Sequence, residues 1–457
     1  MICVAIVLTA LAYGTVHYWA LALFNLGAVV ILLLWVLDAW RLGNFRVSRN
    51  VLQLPLVGVI GLGLFQLLPL RAAAPSGATT VGLVNSLSLD PYSTRLAVVQ
   101  LATLLIYFAA TLVFVDTPHR LRVLVRTIMI FGFVLAVFGL TQSFTSPTKV
   151  YWVRELAQST AFGPFINRHH FAGYMELTIA LPLGLLFSGV VERERTILYL
   201  FIAGLMGVAL VMTTSRGGII SLVAEIMFLV VVTAIWRKQE DHSHRHKEDG
   251  HRHRHRKQPS RLKGAAIRIG LATALMIGLF LGVILLGGEF SINRFIDSVN
   301  TDDPTTGRAH FWSVTLEIIK AHPYVGTGLG AFGVIYTKYD TRNGLYRLEQ
   351  AHNDYLQVLS DGGIIGAFLA LSFVVLLFYM ALKRARAKDD FRRAIALAGL
   401  SGCFAVLVHS FFDFTLHTTS NALLFLTMAA LATLDGRVED VSRRRRRRSS
   451  SEGGSSG

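Results

Sequence analysis

The chain returns again and again to apolar runs of about 20 residues, the length an α-helix needs to cross a bilayer's hydrocarbon core. Twelve such stretches can be read, at roughly 2–15, 20–40, 51–70, 95–115, 123–142, 172–190, 196–213, 217–236, 265–287, 363–382, 394–412 and 418–435. They specify an all-α, polytopic membrane protein of about 12 transmembrane helices. Composition agrees. Apolar residues make up 53% and charged residues only 16%, against roughly 25% charge in soluble domains. The first stretch is short, runs into Tyr13-Gly14-Thr15, and has no positive residue before it, so it does not read as a cleaved signal. Cys3 and Cys403 lie in separate apolar runs, which excludes a disulfide scaffold or a cysteine-rich zinc site.

The formal net charge of +16 would suggest nucleic acid in a soluble protein. Here its distribution records topology instead. Most of the 44 lysines and arginines fall on one set of alternate loops: Arg41, Arg46 and Arg49; Arg120, Arg122 and Arg126; Arg193 and Arg195; the loop after the eighth run; residues 383–393; and the tail from Arg437. The positive-inside rule then places both termini in the cytoplasm. The expected organisation is 1–287 with nine spans, including a disordered His/Arg-rich cytoplasmic loop at 237–263; a large periplasmic loop at 288–362; three spans in 363–436; and a basic, flexible tail at 437–457. Within that inner loop HSHRHKEDGHRHRHRK alternates histidine with charge, a solvated low-complexity pattern. Arg443 to Arg448 suit anionic lipid headgroups, and the SSSEGGSSG end reads as flexible linker.

Polar sequence long enough to build a site lies on the opposite face. Loop 288–362 carries an amphipathic helix from Arg308, with Phe311, Thr315, Leu316, Ile318 and Ile319 spaced for one apolar face and His322-Pro323 ending it. A second helix is expected from about Glu349 to Asp361, with Gly362-Gly363 as a left-handed C-cap before the tenth span. Such a helical hairpin would lie as a lid over an interfacial cleft.

Candidate chemistry gathers on this outer face. Arg216, in TTSRGG, sits at a membrane boundary where the reverse turn needs only Gly217-Gly218. Its guanidinium fork suits phosphate oxygens, although a snorkelling interfacial arginine looks the same. Arg308 and Arg168 are further outer arginines beside apolar sequence. His352, in AHNDYLQVLSDGG, suits general-base work; Asn353 and Asp354 flank it, and Tyr355 is placed to stack on or hydrogen-bond a sugar. His169 and His170 rank lower. Glu225, His409 and Asp413 are ionisable groups within or near spans, and such groups are functional by default. His409 and Asp413, at i and i+4, are expected to face each other as a pair. The chain has no Walker-A motif, no GxGxxG before a helix, no HExxH and no outer Asp-x-Asp. Arginines rather than metal would therefore neutralise a phosphate leaving group.

His352-Asn353, nine residues, then Gly363-Ile-Ile-Gly366 match the H-[NSQ]-x9-G-x-x-[GTY] motif, and the chain resembles the bacterial O-antigen ligase and Wzy-type polymerase superfamily. GRAHFW, HPYVGTGLGAF, FINRHHFAGYMEL and TTSRGGI resemble further segments of it, over about 160–370. One departure is Ile220, where the ligase pattern R-x3-L puts leucine. The resemblance implies a multi-pass glycosyltransferase of the bacterial inner membrane with its site facing the periplasm. Its donor would be a glycan on undecaprenyl diphosphate. Its acceptor would be lipid A-core (ligase), another lipid-linked repeat (polymerase) or a protein hydroxyl. His352 would be the base, with Arg216, Arg308 and Arg168 on the diphosphate and Asn353 and Tyr355 on substrate. Membrane lipids are partners; no nucleic acid, cofactor or metal is expected. A secondary transporter and a non-enzymatic export scaffold are the readings from other classes. Transporters place their sites at the midplane of internal repeats, and no such repeat is visible.

Overall fold

In the computed structural model, the described residues are 1–70, 85–156, 161–248, 269–279, 281–282, 284–285, 307–342, 348–384 and 389–434. The expected tail 437–457 and most of the His/Arg-rich loop lie outside them. The helices are α1 Ile2–Leu11, α2 Tyr18–Leu42, α3 Gln53–Gln66, α4 Pro91–Phe114, α5 Pro118–Thr145, α6 Arg168–Ser188, α7 Thr196–Met212, α8 Arg216–Glu248, α9 Ile269–Leu279, α10 Arg308–Ala321, α11 Phe332–Tyr339, α12 Asp354–Arg384, α13 Asp390–His409 and α14 Thr419–Thr433. Among the described residues the strands are a two-residue antiparallel pair, β1 Lys149–Val150 and β2 Arg154–Glu155. The protein is an all-α polytopic membrane protein.

Among the described residues, eight helices are long and apolar enough to cross a membrane, and α1, α3, α9 and α14 are shorter apolar helices on the other four expected runs. Length alone therefore supports eight spans rather than the expected twelve. The loop expected to be disordered from 237 is instead helical as far as Glu248, as a continuation of α8.

Helix ends follow local chemistry. Asp90 and Thr117 cap α4 and α5 ahead of Pro91 and Pro118, where the missing proline N–H is harmless. Asn167 caps α6 through His169 N. Gly43 and Gly189 end α2 and α6 in the left-handed conformation.

The centre of the bundle is α6, buried from His170 to Phe187. A helix that is apolar all round belongs inside. It packs on α13, where a Cβ on Gly184 would lie 2.5 Å from the Ala398 Cβ. α13 in turn meets α14 where a Cβ on Gly399 would lie 2.6 Å from the Met428 carbonyl oxygen. Small residues let these backbones approach, the usual means of helix association in lipid. α2 and α12 are peripheral and turn Leu23, Leu26, Leu33, Phe368, Leu371 and Val375 outward.

The 288–362 loop differs from expectation in two ways. The buried face of α10 is Val314, Thr315 and Ile318 with Phe311 packed beside them, while Leu316 is exposed. α11 is an additional helix, packed on α10 through Phe332, Ile335 and Tyr336. Gly363 interrupts the helix where the glycine pair was expected to. It sits at positive φ (φ 59°, ψ −160°) between two helical stretches of α12, and segment 323–330 lies against the break and completes its hydrogen bonding. Ile364 N donates to Pro323 O (2.8 Å), Thr327 N to Ser360 O (2.9 Å) and Gly328 N to Asp361 O (3.1 Å). Any Cβ at Gly363 would lie 2.3 Å from Tyr324 O. Gln66 of α3 ties the strap down, donating to Asp361 O (2.8 Å) and accepting from Leu329 N (2.9 Å).

Candidate functional site

α6, α8 and α10 all begin on an arginine, Arg168, Arg216 and Arg308, and α12 begins two residues after His352. Helix N-termini carry partial positive charge, and the guanidinium groups add to it. The starts of α6, α10 and α12 bring His169, Arg308 and His352 to one carboxylate, that of Asp413.

Asp413 lies just past the end of α13 and is 1% exposed. Its Oδ1 accepts from Phe414 N (2.9 Å) and from His352 Nδ1–H (3.3 Å). Its Oδ2 accepts from Arg308 Nη2 (3.2 Å) and lies 3.6 Å from His169 Nδ1. Burial by itself would raise this carboxyl. The hydrogen bond from His352 and the positive charge of Arg308 beside it outweigh that and hold it far below the usual carboxylate range. An ionised carboxylate only accepts, so His352 carries its proton on Nδ1 and presents an Nε2 lone pair away from Asp413.

The backbone fixes His352 in that pose. It has φ 52°, a left-handed conformation that costs a non-glycine residue about 1–3 kcal/mol unless its surroundings hold it. On one side Ala351 N donates to Gln357 Oε1 (2.7 Å), and on the other Asp354 N donates to Ser410 O (2.9 Å). The ring sits between Phe414 (4.8 Å between centroids, edge-on) and Phe311 (6.1 Å). Asp354 is itself buried, accepting from Ser410 Oγ (2.8 Å) and His417 Nδ1 (2.9 Å).

Behind Asp413 a polar chain runs into the bundle. His169 Nδ1 is 2.8 Å from Ser215 Oγ, Ser215 Oγ is 3.5 Å from His409 Nε2, and His409 Nδ1 is 2.7 Å from Glu176 Oε1. Ser215 also caps α8, accepting from Gly218 N (3.2 Å). The turn before it is made by Thr214 at φ 53°, not by Gly217-Gly218 as expected. Those glycines lie inside α8 for a different reason: a Cβ on Gly217 would fall 2.6 Å from the His409 ring, and one on Gly218 would fall 2.9 Å from Ala172 Cβ.

The expected residues are thus distributed unevenly. His352 and Arg308 meet on Asp413. Arg168 is one turn away, donating to Thr214 Oγ1 (2.7 Å). Arg216 is half-buried between Ser215 and Gly217. Ile220, the departure from the ligase pattern, is on the exposed side of α8. Asn353 caps α12: its Oδ1 accepts from Tyr355 N (3.0 Å) and Leu356 N (3.1 Å), and its Nδ2 donates to Phe411 O (3.2 Å). Tyr355 lies against Phe411 (4.4 Å) and donates to Leu407 O (2.7 Å). His170 is buried edge-on to Phe414 (5.0 Å). His409 and Asp413 lie on the same side as expected, with ligand atoms within 4.8 Å, but each hydrogen-bonds other groups: His409 to Glu176, Asp413 to His352 and Arg308. Glu225, deeper in α8, accepts from Ser401 Oγ (3.3 Å).

Sequence reasoning ranked His169 low and missed Ser215, Glu176 and the central role of Asp413. A usable signal was present for Glu176, a carboxylate inside an apolar run. Among the described residues His169, His409 and Asp413 form a group whose potential ligand atoms lie within 4.8 Å of one another. Ser215 Oγ bridges the two histidines and Arg308 holds Asp413, so the group is organised by hydrogen bonds.

Residues 201–371 match the O-antigen ligase (Wzy_C) family model. The resemblance read from the motifs is therefore borne out over that segment, which contains Arg216, Arg308 and His352. The chain is also similar to the exopolysaccharide production protein ExoQ of Rhizobium meliloti (strain 1021), 24% identical over 160 residues, covering 33% of this chain and 35% of that protein. The match thus spans about a third of the curated relative's length.

Proposed function

We propose that the protein is a glycosyltransferase of the O-antigen ligase type. It would move a glycan from undecaprenyl diphosphate to an acceptor hydroxyl at the periplasmic face of the inner membrane, with lipid A-core as the acceptor. The observation that carries this reading is the His352–Asp413 pair flanked by Arg308, within the segment that matches the ligase family. His352 Nε2 takes the proton of the acceptor hydroxyl as that oxygen attacks the anomeric carbon. The bond from that carbon to the diphosphate breaks, and its electron pair leaves with the lipid diphosphate. Attack from the opposite face inverts the anomeric centre. Asp413 orients the imidazole and balances the imidazolium that forms, which is worth part of the roughly 10²–10⁴-fold that general-base help supplies. Arg308, Arg216 and Arg168, each at a helix N-terminus, take up the charge of the departing diphosphate.

The direct test is transfer from synthetic lipid-linked glycan in proteoliposomes containing EDTA. Full transfer with EDTA, lost in His352→Ala, is the expected result; loss of transfer to EDTA, or full activity in His352→Ala, sinks the mechanism.

The similarity to an exopolysaccharide production protein favours a second reading in which the acceptor is another lipid-linked repeat and the product a polymer. Gel analysis of glycans in a deletion strain separates the two. Loss of polymer on lipid A with lipid-linked polymer still present means ligase; single repeats capping lipid A mean polymerase.

A further inference from the structure

Ser215 has one hydroxyl proton and two lone pairs, and three groups surround it. Gly218 N–H takes one lone pair (3.2 Å). His169 Nδ1 (2.8 Å) and His409 Nε2 (3.5 Å) must share the other lone pair and the proton. Asp413 decides which receives which. Its carboxylate oxygen is 3.6 Å from the same His169 Nδ1, and a lone pair on that nitrogen would face an anion. His169 therefore carries its proton on Nδ1 and donates to Ser215 Oγ. The Ser215 proton then points to His409 Nε2, and His409 donates from Nδ1 to Glu176 Oε1 (2.7 Å). Every donor in the chain is directed inward, and the outer nitrogen of His169 is left as an acceptor. His169 is 21% exposed, while Asp413, His409 and Glu176 are each 1% exposed or less. The charged and titratable groups facing His169 are Asp413, Arg168, Arg308 and His409.

His352 and His169 thus share one carboxylate through Nδ1, and each presents Nε2 outward. We propose that His169 is a second acceptor in the site, binding a sugar hydroxyl other than the attacking one, and that Ser215, His409 and Glu176 are positioning residues that keep it in that tautomer. The acceptor class is then a sugar with a free hydroxyl near the reacting one. This inference rests on the glycosyltransferase reading above.

The test uses detergent-purified full-length protein and methyl β-glycosides of glucose, galactose and mannose, with their monodeoxy analogues, as probes in equilibrium binding and as transfer acceptors. In wild type, one deoxy position beyond the reacting hydroxyl is expected to weaken binding about tenfold or more, because it leaves a buried acceptor unpaired. His169→Asn keeps a donor where Nδ1 was and removes Nε2; it should bind the parent and deoxy sugars alike, with a raised KM and little change in kcat. Glu176→Gln retains a carbonyl for His409 and should keep the discrimination, while Glu176→Leu should lose it. Retained discrimination in His169→Asn, or no saturable binding of any parent glycoside to wild type, overturns the proposal. Binding in the His352→Ala background separates the two readings. Discrimination there alongside persistent transfer overturns the base assignment of His352 and leaves the role of His169 standing.

Discussion

The site has two halves that differ in how they are held. The loop half, His352 and Arg308, is partly exposed and rests on strained or helix-starting backbone at the ends of α10 and α12. The bundle half, Asp413, Ser215, His409 and Glu176, is almost fully buried among α6, α8 and α13. In the proposed mechanism the first presents atoms to substrate. The second fixes which atoms those are, by tautomer and charge. Substitutions in the loop half should therefore damage rate and spare the fold, whereas those in the bundle half should damage both.

The largest expected effect is from Asp413→Asn. It unpairs His352 and Arg308 together, and removing one partner of a buried pair typically costs about 3–5 kcal/mol. Transfer should fall by about 10²–10⁴-fold, and thermal unfolding in detergent should drop by many degrees. The sign with pH follows from the depressed carboxyl. Its stabilisation is present above the ordinary carboxylate pKa near 4 and is lost only as pH falls through the much lower folded value. The stability gap between wild type and Asp413→Asn should accordingly stay level from neutral pH to about pH 5; a gap that closes over that range would show the carboxylate is not held by its cations.

His352→Asn sharpens the contrast. Asparagine tolerates left-handed backbone, so unfolding should shift far less than in Asp413→Asn while transfer falls about 10²–10⁴-fold. An equal loss of stability would erase the division between the halves. Gly217→Ala probes the bundle half without touching an ionisable group. A methyl 2.6 Å from the His409 ring forces repacking worth about 1–3 kcal/mol, and activity should fall with it. Tyr355→Phe is the smallest change. Losing the bond to Leu407 O costs about 0.5–1.5 kcal/mol, with no effect on transfer if the ring is purely structural; a raised KM would return it to the substrate.

The two halves also differed in how far they could be read from sequence. His352 and Arg308 stood out because motif and placement sit in contiguous residues. The apolar runs gave most of the helices within a few residues, α8 and α12 extending beyond theirs, since a bilayer demands that periodicity-independent length. The partner of Asp413 could not be found the same way. Spacing of i and i+4 does bring His409 near Asp413, but the groups that bond the carboxylate, His352 and Arg308, come from a loop and a helix start far away in sequence. The break at Gly363 was legible in its glycine pair, whereas the strap 323–330 that completes its hydrogen bonds left no local sign. Gly217 was read as turn chemistry for a similar reason: what demands a glycine there is a ring nearly 200 residues later.

The carboxylate at the centre has one more consequence. Asp413 and His169 lie outside the 201–371 segment that matches the ligase family, as does Glu176. A chimera that transplants only that segment into a different bundle would carry the imidazole, two arginines and the motif, yet leave behind the group that orients them. Such a graft should be inert until the host supplies a carboxylate at the end of the helix equivalent to α13, which makes that single position the one to vary when recombining members of such a family.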